Sequence, residues 1–550
     1  MNILVLLVWL RFRRDRIQLI AWIALFAVFA LIGNAAVEGT YGTPNERAGV
    51  VAIVIQTPSV LMLRGTPQGV EADAFQYFLL FAFLGVMVGL MSTFLAVRHS
   101  RAEEESGRAE LVGATRAGRI VPLLATTIEG VTLNLVVGAI SALGYQLGGA
   151  GPANSWLAGV ALAAVGIVFL GVGLLCAQIM RTSRGANGLA AALVALAYAL
   201  RAAGDASGTV HADGLSMTAG WPSWLSPIGW GQLVAPFSNP TVWPVAASLA
   251  LGAALFGASA LLQSHRDIDS SIIPERLGRL TAHRTLSGPI GLTARLLRNP
   301  IAGWMVAGGL FGLLIGSLGE TMVQFVQAGA EGAAGIENTV GNTLSALAGP
   351  NAHGSIIDLF TVAMFSLVGA LAAVASVQAV LRARQDEAGG AAEILLAAPL
   401  SRVRWFLGYV LIGVVSIVLV VGVAVLGAVI GLQRSEDSWD RAAVVVQAGL
   451  AQLPAAAALL AAVALAFALL PRFTIGLGWA ILLAAIFIGQ FGGFLGLPGW
   501  ARDASPFSHT PVVTAADVDW APAWVMLAVA IVAAGLATVL VRRRDVALGA

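Results

Sequence analysis

Lysine is absent from this chain: all 31 basic residues are arginine. A phosphate-cradling loop of the GxxxxGK[ST] type needs an ammonium beside the β- and γ-phosphates, so none is present. Schiff-base catalysis on lysine is excluded by the same count. Six histidines, at 99, 211, 265, 283, 353 and 509, stand singly, without the HExxH kind of spacing that gathers a metal. Cys176 is the single cysteine and lies in an apolar run, so no disulfide framework exists. Neither a nucleophile elbow nor an appended catalytic domain is seen, which argues against a membrane enzyme or a signalling protein. If nucleotide hydrolysis drives this protein, a partner carries it out.

Two groups of polar residues remain. One is intramembrane: Glu129 is the carboxylate well inside an apolar run, with Asn134, Asn187, Gln178 and Gln490 also in or near spans. A charge at that depth costs at least about 2.5–3.5 kcal/mol and should face a partner or a wet cavity. Glu129, Asn134 and Gln178 are candidates for a substrate path; the plainer alternative is a structural hydrogen bond from Glu129 to Asn134 or a neighbouring helix.

The other group is a charged loop that occurs twice. A shift of 283 residues aligns Arg101 with Arg384, Glu104 with Glu387, Gly107 with Gly390, Glu110 with Glu393 and Arg119 with Arg402, without a gap. On a helix, Glu104 and Arg108 would form an i,i+4 pair, with Leu111, Val112 and Thr115 as a small apolar stripe. A short amphipathic helix displayed in the cytosol suits docking into a groove of a soluble partner. The alternative is a solvated loop whose arginines only set topology, and the duplication favours docking.

The elements that must hold these groups are membrane spans. Charged residues make up 11% of the chain and mean hydropathy is +0.85, against about a quarter charged in soluble domains. Apolar runs occur at roughly 17–36, 78–97, 120–142, 156–180, 186–203 and 243–263, then at 301–319, 356–381, 405–432, 445–469, 474–495 and 522–541. With the N-terminus in the cytoplasm, 25 arginines fall inside and 6 outside, the asymmetry of a correctly counted multi-pass protein. The expected fold is therefore all-α and polytopic, with about twelve transmembrane helices as two fused six-helix parallel repeats and both termini cytoplasmic. A ligand path between the halves is the consequence.

The expected organisation is an interfacial amphipathic helix at 1–16, a first half at 17–265, a cytoplasmic linker with a second interfacial helix at 266–300, and a second half at 301–545. The N-terminal apolar stretch precedes its arginine cluster, the reverse of a cleavable signal. The late outer loops correspond loosely, Ser226-Pro227 with Ser505-Pro506, and each half closes on a similar pair, Arg266-Asp267 and Arg544-Asp545. A net charge of +2 gives no reason to expect a nucleic-acid partner.

The stretch Glu393-Ile394-Leu-Leu-Ala-Ala-Pro399-Leu-Ser401-Arg402 resembles the E-x-L-L-x-x-P-x-S-R signature of ABC-2 type export permeases. The whole layout, and Glu110-Leu111-Val-Gly-Ala-Thr-Arg116 in half one, resembles the fused two-half permeases of actinobacteria called exporters of polyketide antibiotics (the tetronasin type). That resemblance implies coupling helices at 101–119 and 384–404, seated on two copies of a separate cytosolic ATPase that binds ATP and Mg; this chain itself would hold no cofactor. Coupling residues would be Glu104, Arg108, Glu110, Leu111, Arg116, Arg119, Glu387, Glu393, Ile394, Pro399 and Arg402. Arg116 and Gly118 stand where half two has Pro399 and Ser401, so the two docking sites need not be equal. The resemblance further implies an inner-membrane exporter of a lipophilic, antibiotic-like compound, and short re-entrant helices before each half's last span; in half one Trp221, Trp224, Trp230 and Trp243 cluster there. An ion-gradient carrier is the alternative; it would ordinarily place more ionisable residues in its spans than Glu129.

Overall fold

The computed structural model describes residues 3–40, 42–56, 58–267, 270–272, 281, 283, 288–332, 356–432, 438–491, 498–511, 513 and 518–545. The chain divides into two compact units, Met1–Gly278 and Arg279–Ala550.

In the first unit, α1 (Ile3–Thr40) runs without a break through both the expected interfacial stretch and the first expected span. Then come α2 (Pro44–Ile55), α3 (Pro58–Arg64), α4 (Ala72–Arg98), α5 (Arg101–Glu105), α6 (Arg108–Gly113), α7 (Val121–Leu147), α8 (Pro152–Ile179) and α9 (Ser183–Ala206), followed by a small hairpin of β1 (Thr209–Val210) and β2 (Met217–Thr218), then α10 (Pro227–Leu233) and α11 (Trp243–His265). The register pairs Thr209 with Thr218 and Val210 with Met217. Helix starts follow local chemistry. Thr182 caps α9 by accepting from the Gly185 amide, and prolines open α7, α8 and α11, where their missing N–H is no loss. α8 is the central helix, packed against α4, α7 and α11, while α1 lies on α7.

The second unit comprises α12 (Gly288–Gly332), α13 (Ile356–Ala388), α14 (Ala391–Leu396), α15 (Arg402–Leu432), α16 (Ser438–Leu469), α17 (Thr474–Phe491), α18 (Gly499–Arg502) and α19 (Ala521–Arg543). Here α16 is central, packed against α13, α15 and α19, while α12 lies on α15. The expected linker at 266–300 falls partly outside the described residues, and its described C-terminal part is the start of α12.

Among the described residues, eleven helices are long and apolar enough to cross a membrane. They match eleven of the twelve expected spans; the twelfth, 17–36, lies on α1, some of whose side chains are outside the described residues. The outward faces are as apolar as the cores. Val525, Val529, Val532 and Leu536 of α19 are each more than half exposed. Only lipid accepts such a stripe on a solitary face, with every backbone group already paired inside its own helix. The chain is an all-α, multi-pass membrane protein.

Candidate functional site

The repeated charged loop is built in each unit from a span end, two short helical turns and the last helix. In the first unit α4 ends at Arg98, and α5 and α6 are separated by Gly107, whose φ of 71° belongs to the left-handed region. That turn breaks the helical register between Glu104 and Arg108, so the expected i,i+4 pair does not form and Arg108 is exposed. Glu104 is held instead by Arg101 Nη1 at 2.7 Å and by Arg266 Nη2 at 2.5 Å. The fully buried Arg101 also donates from Nε and Nη2 to the Ala177 carbonyl at 2.9 and 2.7 Å, and from Nη1 to the Ser270 carbonyl at 3.0 Å. Arg119 donates to the Ser264 carbonyl, and Gln263 returns a bond to the Arg119 carbonyl at 2.8 Å. The loop is thus tied to the end of α11.

In the second unit Gly390, at φ 76°, opens α14 in the same way. Glu387, buried, lies 3.6 Å from Arg384 Nη1 and 3.0 Å from Arg544 Nη2. The Arg544 guanidinium also stacks 4.4 Å from the Phe467 ring centre. Arg402 donates to the Arg544 carbonyl and reaches Asp545 at 3.5 Å. Tyr409 donates to Asp386 at 2.6 Å, fixing the end of α13 against α15. Neither glycine has an atom within 4 Å of where a Cβ would stand, so space is free and only the backbone conformation is demanding. Gly390→Ala is therefore expected to destabilise the second loop by about 1–2 kcal/mol, the left-handed penalty, seen as faster limited proteolysis at 384–404.

What these clamps display is apolar. Leu111 on α6 is 73% exposed and Ile394 on α14 is 78% exposed. The two positions differ by 283, the offset of the repeat. Glu110, Arg116 and Arg119 in the first unit and Glu393 and Pro399 in the second are exposed around them, with Arg402 half-buried. Glu104 and Glu387, expected among the docking residues, turn out to fasten the loop from beneath. Under the first loop lies a cavity of about 440 Å³ lined in part by Arg11, Glu103, Glu110, Arg119 and Arg266.

The three candidate path residues do not line that cavity and are not brought together. Asn134 is buried and bonds Ser92 Oγ and the Gly130 carbonyl. Gln178, also buried, lies 3.4 Å from Gln263 Oε1. Glu129 bonds neither; its near neighbour is His99 Nε2 at 3.4 Å. His99 closes on Asp15 as well, at 2.7 Å. Sequence spacing gave no sign of this group, because its members come from three elements and stand 84 and 30 positions apart.

At the far end of each unit the Ser-Pro pairs also behave alike. Ser226 Oγ donates to the Ala197 carbonyl at 2.6 Å and Ser505 Oγ to the Ala485 carbonyl at 2.7 Å, both buried. The tryptophan-rich stretch forms a short 3-10 turn (Trp221–Leu225) and α10, with Trp224 and Trp243 stacked at 4.9 Å.

The fold is that of a multi-pass helical membrane protein with a matched pair of surface loops. The match to known proteins is specific. Residues 286–542 match the family described as multidrug efflux system permease Rv1217c, C-terminal domain. The chain is 34% identical over 547 residues to the multidrug efflux system permease protein Rv1217c of Mycobacterium tuberculosis (strain ATCC 25618 / H37Rv), covering 97% of this chain and 93% of that protein. The chain belongs to this family of multidrug efflux permeases.

Proposed function

We propose that this chain is the membrane permease of an ATP-driven exporter of the ABC-2 kind, working in the plasma membrane with two copies of a separate cytosolic ATPase and expelling lipophilic, drug-like compounds. The observation that carries this reading is the matched pair of exposed apolar tips, Leu111 and Ile394, each on a short helix beside an arginine–glutamate–arginine clamp. Exposed aliphatic residues rimmed by charge suit a groove on a soluble partner, and a rigid base lets movement of the partner reach the spans. The two units use equivalent helix pairs: first with third, second with fourth, third with fourth and fourth with sixth in order of expected span. That supports a parallel six-helix repeat with both clamps on the cytoplasmic face. ATP and Mg belong to the partner, since no lysine-bearing phosphate loop exists here. The relative's function, multidrug efflux, supports a lipophilic cargo.

The test is whether a cytosolic ATPase co-purifies with the chain. Leu111→Asp with Ile394→Asp is expected to abolish association, while membrane insertion and detergent-extracted yield stay at wild-type level, because neither side chain is buried. Retained association, or transport by the chain alone in ATP-free vesicles under a proton gradient, would count against the reading.

A further inference from the structure

We propose that Asp15, His99 and Glu129 form a buried binding site for one divalent transition-metal ion of the zinc class, bridging α1, the end of α4 and α7. One ligand atom from each lies within 4.8 Å of the other two, and all three residues are buried. His99 Nε2 stands 2.7 Å from Asp15 Oδ2 and 3.4 Å from Glu129 Oε2. Tetrahedral bonds of about 2.0–2.1 Å would place ligand atoms about 3.3 Å apart, close to the His99–Glu129 spacing and wider than the His99–Asp15 one, with Asp15 and Glu129 within 4.8 Å. One imidazole with two carboxylates suits zinc and its first-row neighbours rather than calcium or magnesium.

Glu129 supplies the independent sign. It has no solvent exposure, and neither carboxylate oxygen has a hydrogen-bond partner. An ionised carboxylate left in that state is costly. A proton on it is the competing solution, since Asp15 and His99 Nε2 lie near enough to take part in sharing it. A cation seated between Glu129, Asp15 and Nε2 satisfies both.

The groups facing the site accommodate a metal. Asp15 Oδ1, the oxygen away from the site, receives Arg98 at 2.8 Å and Arg14 at 3.3 Å. Arg11 is spent on Glu103 at 3.0 Å, the Pro122 and His99 carbonyls and Thr126. Metal on Nε2 leaves the hydrogen on Nδ1, where Glu103 Oε1 waits at 3.5 Å as the carboxylate that orients a metal-bound imidazole. Arg14 Nη2 now sits 2.9 Å from Nδ1 and 3.1 Å from Glu103 Oε1; it would give up Nδ1 and keep Glu103. Arg98, 43% exposed, can likewise relax as the dication brings two charges to a set of three carboxylates and three guanidiniums. The ion would pin α1 to the base of the first charged loop.

The test uses the full chain purified through a tag without histidines and held in lipid nanodiscs. Zinc content and zinc titration are measured, and cobalt is added as a spectroscopic probe. Wild type is expected to hold one zinc per chain and to give a cobalt d–d band. Glu129→Gln, which keeps the side-chain volume, and His99→Ala are each expected to weaken binding by at least about 100-fold and abolish the band, beyond the 10–100-fold that outer partners cost. His211→Ala, on a distant hairpin, is expected to leave both unchanged. Wild-type protein that takes up no zinc, or variants that bind it as tightly as wild type, would overturn the proposal and leave His99 Nε2–H as a plain bridge between two carboxylates.

Discussion

Glu387→Ala is expected to destabilise the second unit by about 3–5 kcal/mol, lowering its thermal midpoint in detergent and its monodisperse yield. Glu387 is the shared anion for Arg384, which is 2% exposed, and for Arg544, 16% exposed. Desolvating a guanidinium costs several kcal/mol, and the cost is tolerable only while a counter-charge is in contact. Arg544 Nε and Nη1 have no hydrogen-bond partner, so without Glu387 that cation keeps little beyond the face of Phe467 and a van der Waals shell. Arg384 and Arg544 would then lose their shared counter-charge. Replacing all three residues by methionine should recover most of the loss, since an apolar set has no desolvation debt. Glu104→Ala in the first unit should cost less, because Glu104 is 11% exposed where Glu387 is 2% exposed. Thermal unfolding of the three variants side by side decides this. If Glu387→Ala melts with wild type, the clamp is not what holds the loop.

These clamps show where sequence reading stops. The spans were legible because hydropathy is a local sum, and α4, α7, α8 and α15 fall where apolar runs predict them. The duplicated loop was legible because five chemically distinctive residues recur at one offset. Even the closing pairs Arg266-Asp267 and Arg544-Asp545 were visible as a repeat, yet their arginines read as topology signals at a span end. Their real partners, Glu104 and Glu387, lie 162 and 157 positions away, and no periodicity reports a contact of that length. Arg101 and Arg384 were legible as part of the repeat, but their burial was not, because an arginine in a charged loop carries no sequence sign of the carbonyl or carboxylate that will cover it. His99 looked solitary because its carboxylate neighbours arrive from α1 and α7. The i,i+4 pairing of Glu104 with Arg108 failed for a local reason that the sequence did contain, a glycine between them that turns the chain left-handed.

Gly312→Leu is expected to separate α12 from α15 and leave the second unit without a stable fold. The sequence places Gly308, Gly312 and Gly316 at four-residue spacing on α12, opposite Ala424, Gly427, Ala428 and Gly431 on α15. The backbones are so close that a methyl at Gly312 would fall on the Ala424 carbonyl oxygen, one at Gly316 on the Ala428 carbonyl and one at Gly427 on the Gly309 carbonyl. Between apolar helices in lipid there is no hydrophobic gain from contact; association rests on close dispersion packing, which small residues alone allow. A leucine cannot be absorbed by a rotamer change when the obstacle is backbone, so the helices must part along the whole seam. The cost should exceed the about 1–3 kcal/mol of ordinary overpacking. Two controls lie on the same helices. Gly303 on α12 and Gly422 on α15 have nothing within 4 Å of a Cβ, so leucine there should fold as wild type and gain slightly in helix propensity. Detergent resistance and thermal midpoint of Gly312→Leu, Gly303→Leu and Gly422→Leu separate a packing effect from a general intolerance of bulk. A Gly312→Leu protein as stable as its controls would mean that α12 and α15 do not meet through this seam.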